Sequence, residues 1–173
     1  MIVRAAAAED AAAVQAIYAH AVLHGTGTFE EVPPTVEEMI ARMADVAARG
    51  LPWLVAEADG RLVGFAYAAP FRLRSAYRHT AEDAVYIAPD FHRRGAGIAL
   101  LQALIATCEA AEDLNLRQLV ALIGDSGNAG SIGLHQAVGF HHAGLFEGVG
   151  RKHDQWLDVV FMQRPLNGGA GRR

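Results

Sequence analysis

The chain predicts an α+β fold with mixed strand order, and three observations carry that expectation. Apolar residues alternate in short segments and recur at helical spacing in longer ones, in the order strand, two helices, hairpin, strand, helix, strand, helix and two strands. From Val85 to Ile123 a strand, a long helix and a second strand follow one another closely enough for a right-handed parallel crossover. The 173 residues, 52% of them hydrophobic, suffice for one core and contain no internal repeat or linker.

Each element has a local reason. Ile2 to Ala5 reads as a short strand, after which Glu9-Asp10 opens an alanine-rich helix. That helix carries Val14, Ile17, Tyr18, Ala21 and Val22 on one face until Gly25 and Gly27 stop it. Thr28 to Pro34 is an extended loop, because the paired prolines disfavour helix before them. Thr35-Val36-Glu37-Glu38 is a capping box that starts a second helix, ended by Gly50. Pro52 to Glu57 and Arg61 to Tyr67 flank Asp59-Gly60 as a β-hairpin. A polar segment from Arg72 to Thr80 leads into the strand ending at Ile87, and the next helix is expected from about Ile98 to Asn115. Gln118 to Ile123 is the crossover's second strand; Asn128 then begins a helix ending at Gly139-Phe140. Strands His142 to Val149 and Gln155 to Gln163 close a domain expected to span residues 1 to 166, before a tail, 167 to 173, expected to be disordered.

Composition narrows the function. A net charge of -4 with 20% charged residues lacks the electrostatic footprint of a nucleic-acid binder. No apolar run reaches the ~18 residues of a membrane span, and Met1-Ile2-Val3-Arg4 begins a strand rather than a signal peptide. The single cysteine, Cys108, shares the apolar spacing of Leu101, Leu104 and Ile105, so it reads as a small buried hydrophobe in a reducing cytoplasm.

The segment richest in chemistry is Val85-Tyr86-Ile87-Ala88-Pro89-Asp90-Phe91-His92-Arg93-Arg94-Gly95-Ala96-Gly97-Ile98, a strand running through a basic glycine turn into a helix. Successive N–H groups of such a turn and the positive end of the helix make a cradle for a pyrophosphate. The dinucleotide fingerprint lacks its third glycine and acidic residue, and the P-loop lacks its Gly-Lys-Ser/Thr ending. What stands here, with Arg94 directly before Gly95, resembles the coenzyme A loop of the GNAT acetyltransferase superfamily. Asn128, Ser131, Leu134 and Gly139-Phe140 are similar to its second signature, in which Asn and Ser serve the pantetheine arm. Pro52 to Glu57, Arg74 to Tyr77, Thr80-Ala81-Glu82, Ile123-Gly124 and Lys152-His153 with Trp156 and Asp158 resemble the phosphinothricin and methionine-sulfoximine acetyltransferase branch.

The resemblance implies a central mixed, mostly antiparallel sheet flanked by helices, a homodimer with the Arg72 to Thr80 region near its interface, and acetyl-CoA as co-substrate without a metal. Val85, Tyr86, Ile87, Arg93 to Ile98, Asn128 and Ser131 would bind it. The acceptor is then the α-amine of a small amino-acid analogue such as phosphinothricin, methionine sulfoximine or methionine sulfone. Two other functions stay open: acetylation of a peptide N-terminus, and a non-catalytic acetyl-CoA sensor.

Attack on a thioester needs a group that removes a proton from the protonated amine. Glu82, just before the cofactor strand, is the first candidate, against a solvated carboxylate at a strand start; Asp83 faces the opposite side. A backbone N–H near Tyr86 or Ile87 is expected to meet the oxyanion. His135 stands where many superfamily members carry a proton-donating Tyr, and either protonates the leaving thiolate or is a satisfied polar residue of its helix. His141 and His142, adjacent on a strand, face opposite sides and share no metal. Arg72 and Arg74 offer two forks for a substrate carboxylate, or form a solvated basic loop. Phe29 is expected as a lid over the substrate or as an anchor for its loop.

Overall fold

The computed structural model describes residues 1 to 169. Its strands are β1 (Ile2–Ala5), β2 (Trp53–Ala58), β3 (Arg61–Pro70), β4 (Thr80–Ile87), β5 (Gln118–Gly124), β6 (His141–Lys152) and β7 (Gln155–Pro165). The α-helices are α1 (Ala11–His24), α2 (Val36–Ala48), α3 (Ala96–Ala110) and α4 (Ala129–Ala137). One seven-stranded sheet runs in the order β1-β2-β3-β4-β5-β7-β6. Only the β4–β5 pair, bridged by α3, is parallel, so the sheet is mixed and mostly antiparallel as the α+β reading expects.

Two cores sandwich this sheet. Leu100, Leu101 and Leu104 of α3 share one buried cluster with Ala66 of β3, Leu119 and Ala121 of β5 and Met162 of β7. On the other face Val14 and Tyr18 of α1 and Met39 of α2 meet Trp53, Val55 and Phe65. Helix α2 begins where its sequence requires, with the Thr35 hydroxyl accepting from the Glu38 N–H at 3.2 Å and the Glu38 carboxylate accepting from the Thr35 N–H at 2.8 Å.

Strands β3, β6 and β7 run a few residues longer than expected and α4 ends earlier, and three further differences have a local reason. Helix α3 starts at Ala96 rather than Ile98, because Gly95 adopts the left-handed conformation (φ 85°) and lets the chain turn two residues early. It ends at Ala110, and the residues to Asn115 form a separate tight turn, Glu112–Leu114. Finally, Asn167 to Gly169 are held rather than disordered: the Asn167 amide donates to the Glu109 and Leu116 carbonyls, and the Arg117 guanidinium to that of Gly168. The remainder of the expected tail, 170 to 173, lies outside the described residues.

Candidate active site

The functional geometry begins where β4 and β5 part. Their parallel register runs from Thr80↔Gln118 to Asp83↔Ala121 and stops, although both strands continue. The Ala88 N–H donates to Val63 of β3 at 2.8 Å, and antiparallel alternation therefore turns the N–H groups of Tyr86 and Ala84 toward β3 and those of Val85 and Ile87 toward the gap. Of the two positions expected to meet an oxyanion, Ile87 and not Tyr86 faces inward. The Ile87 carbonyl is met by His92 Nε2 at 3.1 Å.

Residues on both sides of this wedge line a cleft of about 1260 Å³ that continues to the glycine turn and α4. Arg93, Gly95, Ala96, Gly97 and Ile98 border it, with Val85, Tyr86, Ile87, Asn128 and Ser131. Arg93 and Gly95 both have positive φ (60° and 85°), which curls the turn, and α3 opens immediately after it. Arg94 is turned away from the cleft, its guanidinium 4.9 Å from the centre of the Phe91 ring. The glycines have separate reasons: the space beside Gly95 is open, so its backbone angle demands glycine, whereas a Cβ on Gly97 would stand 2.8 Å from Leu134 of α4. Asn128 caps α4 by accepting from the Ser131 N–H at 3.1 Å.

At the wedge apex two adjacent carboxylates diverge. Glu82 borders the cleft on the face of β4 that carries Tyr86, toward α1. Burial pushes its carboxyl above the ordinary range; the Arg72 charge pulls it back and that of Asp83 adds to the rise. Asp83 points to the α3 face, its side chain wholly enclosed and 2.9 Å from Nε2 of His135. Nδ1 of that ring is 2.7 Å from the Ser131 carbonyl and 3.4 Å from its hydroxyl. This pair escaped the sequence reading, which assigned Asp83 to the correct face but no partner. The i, i+3 and i+7 spacing of Asn128, Ser131 and His135 was the available signal.

The loop between α1 and α2 closes one end of the cleft. Thr26 Oγ1 donates to Asp125 at 2.8 Å, and the buried Lys152 ammonium donates to the Thr28 carbonyl at 2.8 Å. Burial lowers the Lys152 pKa, and Glu31 and Glu30 oppose that fall. The Phe29 ring lies across Gly124 and Gly150, occupying the room that side chains there would need. Phe29 thus anchors the loop, while 38% of its surface stays exposed. Arg72 and Arg74 sit on an exposed loop outside the cleft lining, and Arg72 stacks 4.2 Å from the Phe71 ring centre.

The family profile of the acetyltransferase (GNAT) domain matches residues 3–161. A phosphinothricin N-acetyltransferase of Alcaligenes faecalis is 56% identical over 167 residues, 96% of this chain and 83% of that protein. An L-methionine sulfoximine/L-methionine sulfone acetyltransferase of Pseudomonas aeruginosa is 39% identical, covering 95% of this chain and 94% of the relative. Among solved structures, a GNAT phosphinothricin acetyltransferase from Sinorhizobium meliloti in complex with AcCoA superposes with a TM-score of 0.93 at 41% identity, covering 99% of this chain and 91% of the other.

Proposed function

The chain belongs to the GNAT acetyltransferase family, and from that premise we propose that it transfers acetyl from acetyl-CoA to the α-amine of a small amino-acid analogue of the phosphinothricin, methionine sulfoximine or methionine sulfone type. The observation that carries this reading is the wedge with Glu82 at its apex. Inward N–H groups on one wall, a curled basic turn at the mouth and a carboxylate of raised proton affinity together suit a thioester meeting an amine there.

The cleft fits the co-substrate in volume and in donors. The turn from Arg93 to Ile98 holds the pyrophosphate with backbone N–H groups and the α3 terminus, and Arg93 at the cleft brings the side-chain charge that Arg94, stacked on Phe91, does not. Val85, Tyr86 and Ile87 with Asn128 and Ser131 flank the pantetheine arm. Bound acetyl-CoA supplies an activated acetyl group. Glu82, raised by burial, removes the proton from the amine directly or through one water. The Ile87 N–H stabilises negative charge developing on the acetyl oxygen. His135, 3% exposed, borders the cleft on the α4 side.

Arg72 and Arg74 are the proposed carboxylate donors of the acceptor site, and the reach of the Arg72 charge to Glu82 supports Arg72 first. Phe29, packed over Gly124 and Gly150, holds in place the loop proposed to cover the acceptor end. We further propose a homodimer that covers edge strand β6 and its neighbour, where Leu145, Phe146, Val149 and Trp156 are exposed. A cytoplasmic location accords with a single buried cysteine and with the absence, among the described residues, of a helix long and apolar enough to cross a membrane.

Release of free thiol from acetyl-CoA, measured with a panel of amino-acid analogues, peptides and no acceptor, tests the proposal. Turnover with methionine sulfone or phosphinothricin and little with peptides is expected. Preference for peptides would move the function to N-terminal acetylation, and cofactor binding without turnover on any acceptor would make the protein a sensor.

A further inference from the structure

We propose that Asp83 is a positioning residue for His135, holding the imidazole doubly protonated and locking α4 to the apex of the wedge. Both ring nitrogens face oxygen acceptors: Nδ1 the Ser131 carbonyl at 2.7 Å, Nε2 the Asp83 carboxylate at 2.9 Å. A backbone carbonyl only accepts, so Nδ1 carries a hydrogen. An ionised carboxylate only accepts as well, so Nε2 carries the other. With the shared proton on Nε2 the ring is an imidazolium, satisfied on both sides within the protein; with that proton on Oδ2 the ring is neutral, and ring 15N spectra tell the two apart.

The surroundings favour that state. Burial alone would lower the ring's affinity for its second proton, and the hydrogen bond and charge of Asp83 together with the hydrogen bond to the Ser131 carbonyl outweigh it, so the His135 pKa is raised. Among titratable groups, β4 brings Asp83 to the ring, while Glu82 next to it faces across the sheet. Helix α3 brings Cys108 near Asp83, its thiol pushed by burial up to about 12 and hence neutral. Phe140 closes the remaining side edge-on, with ring centres 5.1 Å apart.

The consequence lies at the cofactor wall. Ser131 and Asn128, one and two turns before His135 on or at the start of α4, border the cleft, and the Asp83–His135 pair is the polar link that ties this helix to β4. Buried pairs of this kind are weak sources of stability but fix geometry when both partners are satisfied. Asp83 Oδ1 has no partner among the described residues, so Oδ2 alone carries the contact and directs it at one nitrogen.

The inference that α4 borders the cofactor rests on the function proposed above, but the protonation state does not, and the experiment separates them. Histidine ring 15N spectra of the wild-type protein, recorded through the ordinary histidine range, should show His135 still doubly protonated where the exposed histidines have become neutral, and Asp83→Asn should make it neutral. A neutral ring in the wild type overturns the proposal whatever the activity. Asp83→Asn can still donate to Nε2 and keep the geometry, so its coenzyme A affinity by calorimetry should stay within about twofold of wild type. Asp83→Ala loses the contact and should bind coenzyme A at least tenfold more weakly. Wild-type affinity in a folded Asp83→Ala protein overturns the positioning role; if that variant does not fold, the Asp83→Asn spectrum decides.

Discussion

Glu82 and Asp83 are adjacent in the chain, yet strand alternation sends one carboxylate to the α1 face of the sheet and the other to the α3 face, where they meet opposite treatment. Glu82 is half-buried at a cleft, with a cation near enough to be felt but not hydrogen-bonded to it, and its proton affinity rises. Asp83 is enclosed against an imidazole, its carboxylate 2.9 Å from Nε2 of His135. On the proposed reading, burial at a cleft edge makes a base and burial beside a cationic partner makes an anchor. Their roles follow from what each face offers, since the side chains differ by one methylene.

The first way to break this comparison is Glu82→Gln. If the cleft face makes the base, turnover should fall by about 10²- to 10⁴-fold while cofactor affinity stays near wild type. The pH profile is the sharper readout. Glu82 must be ionised to act, so wild-type activity should rise with pH through a carboxyl value above the ordinary one. Wild-type rate with an unchanged acidic limb in the variant would make Glu82 structural.

On the other face, His135→Leu removes one partner of the enclosed pair and leaves Asp83 buried and unpaired. Unfolding by denaturant should report a loss of about 3 to 5 kcal/mol, because an uncompensated buried charge is costly. The sign of the pH dependence is a second check. The folded His135 pKa is raised, so the pair's contribution is complete below the ordinary histidine range and fades as pH climbs through the raised value. Asp83→Asn should flatten that alkaline decline, and an identical decline in both proteins would assign it elsewhere.

The turn at the mouth of the wedge tests the backbone rather than a side chain. At φ 85° Gly95 has open space around its missing Cβ, so Gly95→Val is opposed by conformation rather than by collision, at a cost of about 1 to 3 kcal/mol. A shifted turn no longer converges its N–H groups, and acetyl-CoA should bind about tenfold more weakly by calorimetry. Undiminished affinity in the folded variant would remove the pyrophosphate from this turn.

The two walls of the cleft were unequally legible in the sequence. The wall proposed for the cofactor is continuous chain from Val85 to Ile98, where glycine placement, strand alternation and a helix start are local properties, and most of it, though not Arg94, lines the cleft. Even its error, a helix begun two residues late, came from one left-handed glycine. The acceptor wall and the anchor are assembled from distant segments. His135 meets Asp83 across 52 residues and Lys152 meets the Thr28 carbonyl across 124, and no local pattern announces either. Phe29 was legible as a loop aromatic, but the slot it fills needs Gly124 and Gly150 brought side by side, which is a property of sheet order.

Arg72 offers the smallest and most discriminating test, because it acts on the Glu82 face alone. Its charge lowers the Glu82 carboxyl from the value that burial would give, so Arg72→Ala should move the acidic limb of the pH profile to higher pH. The same guanidinium is proposed to receive the acceptor carboxylate. On an exposed loop a single ion pair is worth at most about 1 kcal/mol, so the preference for methionine sulfone over its amide should shrink several-fold rather than vanish. Titrating both activities in wild type, Arg72→Ala and Arg74→Ala separates the two effects. A displaced limb with intact acid preference would leave Arg72 tuning the base and hand the carboxylate to Arg74. An unmoved limb would mean that solvent screens the loop completely, and the raised Glu82 would then owe its value to burial and Asp83 alone.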